Sequence, residues 1–361
     1  MKRLILIGMV FCLILAGCSS GASPSPSPSP SPTPSPEVTE PSPTVDPDNP
    51  NGYTGINPLT GMPIEDSKVA DRPVAVMLNN LKAALPQHGQ SQADIIYEIP
   101  AEGGITRMLA LFQDPSVVGD IGSVRSTRPY YLDVVTGHDA ILIHAGGSEQ
   151  AYSDIKTEGI DALDAVRGNK AADLFWRDQE RIKTAGYEHS VFTSGERIAR
   201  LLPTYDIRLR HEDDYEYRMK FSKDAVPENG TAADKLTIVF SSYKTGVFTY
   251  DSASGLYLAS EYGAPYVDGN SDEQVAVKNV FVLRADIALI PGDTAGRLTV
   301  DLVGSGTGYF ACGGKSVEIK WSKASDNDPF VYTLKNGGEL VLGKGTSYVN
   351  IVPGNAKVTI E

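Results

Sequence analysis

A run from Ser23 to Pro36, with Pro at every second position and Ser between them except for Thr33, fixes where this chain can and cannot fold. Proline locks φ and lacks an N–H, so Pro at every second position builds neither a helix nor a sheet ladder and favours extended polyproline II. Residues 19–50 hold 11 of the 24 Pro, together with Glu37, Glu40, Asp46 and Asp48. Residues 18–56 therefore read as a tether, and packed structure is expected only from about Asn57. At about 3.1 Å per residue, roughly 35 extended residues span on the order of 100 Å. A Pro-rich ligand or a glycosylated stalk are the competing readings of the same composition.

Ahead of the tether, Lys2 and Arg3 precede an apolar run from Leu4 to Leu15, then Ala16-Gly17-Cys18. A basic start, a short apolar stretch and small residues at its end read as a secretory signal over residues 1–17, too short for an ordinary spanning helix. Leu15-Ala16-Gly17-Cys18 resembles a bacterial lipobox, in which the Cys thiol takes up diacylglycerol and becomes the first mature residue. Cys18 is thus the candidate lipidation site, and the protein is expected on the outer face of the cytoplasmic membrane. Loss of Lys2 and Arg3 takes the net charge from −13 to −15, so charge will not hold it on an anionic membrane and nucleic acid is not an expected ligand. Acyl chains, at about 0.8 kcal/mol per buried CH₂, supply the anchorage instead. Cys12 leaves with the signal and Cys18 is taken up by lipid, so only Cys312 remains and a monomeric disulfide framework is arithmetically excluded.

From Asn57 to about residue 208, strand and helix patterns alternate. Val74–Asn79, Asp94–Ile99, Ile105–Phe112 and Ala140–His144 are short apolar or β-branched runs that read as strands. Pro129–Val135 opens with Pro in its first turn, and Ser148–Thr157 has Ser148 as N-cap and Gly159 as a stop. Thr193-Ser194-Gly195-Glu196 fits a capping box ahead of Ile198 and Leu202, with Pro203 ending the helix. Residues 57–208 are therefore expected to form an α/β or α+β domain. Residues 209–361 are expected to form an all-β one, sandwich or barrel-like. The expected strands there include Tyr215–Phe221, Leu236–Ser241, Val247–Tyr250, Leu256–Ser260, Val277–Leu283, Val317–Trp321 and Val349–Val352. Gly313-Gly314 and Asn336-Gly337 signal hairpins, and Gly304-Ser-Gly306-Thr-Gly308 reads as a bulged turn rather than a phosphate loop.

The densest polar pattern is Glu98, Glu102, Thr106 and Arg107, followed by Arg125, Ser126, Thr127 and Arg128. Arginine forks placed where strands end and a helix begins suit a phosphate or carboxylate, so these residues are candidates for an anion site. The competing reading pairs the arginines with Glu98, Glu102, Asp120 or Asp133 to tie loops together. His144-Ala-Gly146-Gly147-Ser148 marks a tight turn into a helix that could complete the same pocket; a capped helix is its ordinary explanation, and a seryl nucleophile with His144 or His138 as base is the catalytic one. His spacing supports no transition-metal site, and no cofactor is expected; an Mg²⁺ held by Glu98 and Glu102 is the divalent alternative.

Taken together, Asn57-Pro-Leu-Thr-Gly-Met-Pro63, Arg72-Pro-Val-Ala-Val-Met-Leu-Asn-Asn80, Ser91-Gln-Ala-Asp-Ile-Ile-Tyr-Glu98, Glu102-Gly-Gly-Ile-Thr-Arg107, Ile121-Gly-Ser-Val-Arg-Ser-Thr-Arg-Pro-Tyr-Tyr131 and His144-Ala-Gly-Gly-Ser148 resemble the bacterial lipoproteins grouped as domain of unknown function 3048. The resemblance implies an envelope lipoprotein with a separate C-terminal domain and supplies no reaction. Tyr266 stands where the family pattern has His. A looser similarity links the arginines to LytR-CpsA-Psr phosphotransferases, but Met108 follows Arg107 and Ser126 follows Arg125 where those enzymes carry acidic partners. The functional expectation is a noncatalytic binder of an anionic wall-related ligand or an envelope protein. The alternatives are a phosphotransferase-like enzyme acting on lipid-linked wall precursors and a protein-interaction scaffold.

Overall fold

The structure, a computed structural model, describes residues 46, 49–223 and 225–361. The expected signal, Cys18 and most of the Ser-Pro tether lie outside the described residues.

Strands β1 (Val74–Asn79), β2 (Ile95–Pro100) and β3 (Thr106–Phe112) are buried along their whole length. Such runs demand cover on both faces of the sheet. Helix α1 (Pro129–Gly137), β4 (Ile141–His144), α2 (Glu149–Glu158) and β5 (Ala162–Asp164) follow, then α3 (Gly195–Leu201), capped by Ser194. Alternation along β1 sends Ala75 and Met77 to the face covered by Tyr130, Tyr131, Leu132, Val134 and Val135 of α1. It sends Val74, Val76 and Leu78 to the opposite face, with Ile198 of α3. β1 pairs in parallel with β4, and β4 with β5, whereas β3 lies antiparallel between β1 and β2. The N-terminal region is thus mixed α/β.

The C-terminal region is mostly β. Strands β6 (Lys235–Val239), β7 (Thr245–Asp251) and β8 (Leu256–Glu261) form an antiparallel sheet. Strands β9 (Asn279–Leu289), β10 (Gly304–Cys312) and β11 (Lys315–Lys323) form a second antiparallel set. Leu236, Ile238, Phe248 and Tyr257 of the first pack with Val280 and Val282 of the second, as two sheets in a sandwich do. Strand β12 (Ser347–Pro353) then inserts between β9 and β2, parallel to both, with Asn350 opposite Glu98. Among the described residues, twelve strands in consequence form one hydrogen-bonded sheet that runs through both regions.

Two expected elements differ. Gly304–Gly308 is not a bulged turn but the first half of β10, in register with Lys323–Ile319. A Cβ at Gly306 would meet Trp321 Nε1 at 2.5 Å, and one at Gly308 would meet Val282 O at 2.2 Å. Those glycines permit close strand approach, a role that mimics a loop signature in sequence. Tyr215–Phe221 shortens to a strand at Lys220–Ser222, because Tyr215 stacks on His211 with ring centroids 4.0 Å apart and Tyr217 meets both rings edge-on.

Candidate functional site

Parallel strands end together, so Asn79, His144 and Asp164 share one edge of the sheet, and Arg107 joins them opposite Asn79 at the start of β3. Loops beyond the carboxyl ends of such strands are where α/β sheets place ligands. Two of those loops are laced together. Thr127 N donates to Gly146 O at 3.0 Å, Ala145 N to Arg125 O at 3.0 Å, and Ser126 Oγ to Ala145 O at 2.9 Å. Each loop runs straight into a helix, so the N-termini of α1 and α2 start side by side. Ser148 caps α2, its Oγ accepting from Ala151 N at 3.2 Å, and Gly159 stops it in a left-handed conformation. At α1 the N-cap position is Arg128 itself, whose side chain makes no cap, and Pro129 opens the first turn. Uncapped first-turn N–H groups carry the positive end of the helix dipole.

Around these helix starts stand the three arginines. Arg107, nearly buried, lies 3.4 Å from Glu102 and donates to Ser126 O at 3.1 Å. Arg128 hydrogen-bonds the same Glu102 carboxylate and donates to Thr127 O at 2.7 Å. Arg125 reaches Glu188 at 3.0 Å. One carboxylate thus serves two guanidiniums, and the third pairs with a glutamate whose side chain is 63% exposed. Burial alone would raise the Glu102 carboxyl, but the Arg128 hydrogen bond and the charges of both arginines hold it below its ordinary value. Burial, reinforced by Arg128, lowers Arg107. The Nε atoms of Arg107 and Arg125 are buried without a hydrogen-bond partner among the described residues. The cluster has more cationic donor capacity than its acids use.

The arginines do tie loops together, through Glu102 and Glu188; the salt bridges described for them do not include Glu98, Asp120 or Asp133. Glu98 stands apart from the arginine cluster, fully buried with Asn80, Thr106, Lys244 and Tyr348, so its pairing with Glu102 around Mg²⁺ has no geometric basis. His144 is buried beside the cluster. Its Nδ1 lies 2.8 Å from Gly146 O and 3.8 Å from Asp164, and burial lowers its proton affinity despite both neighbours. His138 hydrogen-bonds Tyr97. Among the described residues no hydrogen bond joins a serine to either histidine, which leaves Ser148 a helix cap.

Asp164, missed in the sequence, organises the second loop: it accepts from Gly146 N at 2.7 Å, Val166 N at 3.0 Å, Arg167 N at 2.8 Å and Tyr152 OH at 2.7 Å. A three-residue strand gives little pattern to find it by. His189, beside Glu188, meets Asn79 at 2.7 Å and was equally silent.

Comparison with known proteins places the chain in a family and supports its fold. Residues 59–208 match the N-terminal domain, and residues 236–349 the C-terminal domain, of the family described as protein of unknown function (DUF3048). The chain is 30% identical over 298 residues to YerB, named as a candidate lipoprotein, from Bacillus subtilis (strain 168), covering 82% of this chain and 86% of that protein. The crystal structure of Bacillus subtilis YerB superposes with a TM-score of 0.73 at 28% identity, covering 84% of this chain and 99% of that one.

Proposed function

The chain belongs to the DUF3048 family, and on that premise we propose that it is an extracytoplasmic lipoprotein of the cell envelope whose N-terminal region binds an anionic, wall-related ligand through Arg107, Arg125 and Arg128. The observation that carries this reading is the pair of adjoining helix starts, one uncapped, ringed by three guanidiniums that share too few carboxylates. Backbone N–H groups at a helix start and planar arginine forks both recognise oxyanions. An incoming phosphate or carboxylate needs only to displace Glu188, held at the surface, to take Arg125. Titration calorimetry with pyrophosphate is expected to give binding that weakens as ionic strength rises, because salt screens the approach of the anion from solvent and competes for the same guanidiniums. Absence of heat with pyrophosphate, prenyl pyrophosphate and wall fragments alike would turn the search towards a protein partner.

Residues 1–17 act as the signal in this account, Cys18 carries the lipid, and the Ser-Pro tether holds the folded region away from the bilayer. The name of the Bacillus subtilis relative supports the lipoprotein reading. Among the described residues no helix is long and apolar enough to cross a membrane. Cys18→Ser is expected to abolish incorporation of labelled palmitate and to move the protein from the membrane to the soluble fraction. Undiminished palmitate label in the variant would refute lipidation at Cys18.

A further inference from the structure

Away from the arginines, four polar side chains from distant parts of the chain meet in the core. Asn80 follows β1, Glu98 lies in β2, Lys244 closes the turn before β7, and Glu261 ends β8. Asn80, Glu98 and Lys244 are 0% exposed and Glu261 is 4% exposed. Lys244 Nζ stands 3.1 Å from Glu98 Oε1 and 2.5 Å from Glu261 Oε2. Asn80 Nδ2 stands 3.0 Å from that same Glu98 Oε1 and 3.2 Å from Glu261 Oε1. Each carboxyl therefore touches both the amine and the carboxamide. Thr106 Oγ1 and Tyr348 OH complete Glu98 at 2.6 Å each. Among the described residues Asn80 Oδ1 has no hydrogen-bond partner, and Lys244 Nζ makes no well-directed hydrogen bond to either carboxyl.

Two carboxyls facing one ammonium leave an excess of negative charge in the core, which together with burial favours the protonated form of an acid there. Burial raises Glu261 to about 7, with the charge of Lys244 opposing and that of Glu98 reinforcing the shift. A buried amine, a carboxamide against the same oxygens, and the raised carboxyl of Glu261 beside both are the components of amide exchange.

We propose that Lys244 and Asn80 join through a self-catalysed amide bond that cross-links the two family regions. The Lys244 ammonium gives one proton to the ionised carboxylate, and its freed lone pair attacks Asn80 Cγ. The carboxamide, whose terminal torsion is broad, turns Oδ1 to the protonated carboxyl, which polarises the carbonyl. Collapse of the tetrahedral adduct forms Nζ–Cγ and breaks Cγ–Nδ2. Of the three ammonium protons, one stays on the new amide, one leaves on Nδ2 as ammonia, and one neutralises the carboxylate. No oxidant or external reagent is required, and a buried cation and anion are both removed, along with the cost of desolvating them.

Peptide mapping of the full chain, extracted from membranes in detergent and digested with trypsin after denaturation, tests this. The expected product is a branched peptide joining the segment with Asn80 to the segment with Lys244, lighter than their sum by one ammonia, with no cleavage after Lys244. Cleavage after Lys244 with both segments at their sequence masses overturns the proposal. Loss of one water within a single peptide containing Lys244 and Glu261 also overturns it, because the bond then runs to a carboxyl. Asn80→Ala is expected to restore cleavage after Lys244; a branched peptide persisting there would again refute the assignment.

Discussion

Tyr348→Ala is expected to destabilise the folded region by about 3–5 kcal/mol, and to do so equally in its N-terminal and C-terminal parts. Tyr348 is fully buried in β12, its ring centroid 4.9 Å from that of Phe248 and its hydroxyl donating to Glu98 Oε2 at 2.6 Å. Truncation opens a cavity on the C-terminal side and strips a donor from a buried carboxyl on the N-terminal side, where an unsatisfied group costs about 1–3 kcal/mol. The two tryptophans divide the report: Trp176 lies in the N-terminal region and Trp321 in β11. Urea unfolding followed in Trp176→Phe and Trp321→Phe backgrounds should show one transition, displaced to the same extent by Tyr348→Ala. Two separated transitions, only one of them displaced, would mean that the sheet joining the regions carries little of the stability.

Gly308→Val is expected to cost at least about 3 kcal/mol, or to prevent recovery of folded protein, since the added Cβ would sit 2.2 Å from a main-chain oxygen of β9 and the strand cannot yield without breaking its ladder. Thr307→Val, one residue away on an exposed position, is expected to change stability by less than about 0.5 kcal/mol. Thermal unfolding of the two variants separates a packed strand from a glycine-rich ligand loop. In a loop, Gly308→Val would leave folding intact.

Elements with a strong local signal were legible in the sequence. The apolar runs of β1, β2, β3 and β4, the Ser148 cap and Gly159 stop of α2, and the Gly313-Gly314 hairpin, with φ of 60° and 75°, all lie where their residues place them. The convergence of Arg107, Arg125 and Arg128 was legible because all three flank strand ends within one short span. Pairings between distant segments were not. Nothing local in Ser347–Pro353 says that it will lie beside Ile95–Pro100, since parallel pairing is settled by the cover on both faces. Glu98 looked like a member of the arginine cluster because it is four residues from Glu102. Strand alternation instead turns it into the core, towards a lysine 146 residues later that reads as an ordinary surface turn. Gly304–Gly308 misled for a related reason: glycine needed for close strand approach and glycine needed for a turn look alike until the partner strand is known.

The most direct test of the anion site is thermal unfolding of a soluble form beginning at Asn49, with pyrophosphate, prenyl pyrophosphate and wall fragments, with and without Mg²⁺, beside an Arg125→Ala/Arg128→Ala variant. A ligand at about 100 times its Kd adds roughly 2.7 kcal/mol, which raises the midpoint by several degrees. Such a rise is expected with at least one of these anions, and its disappearance in a double variant that still unfolds cooperatively. An equal rise in the double variant, or no rise with any of them, would contradict it.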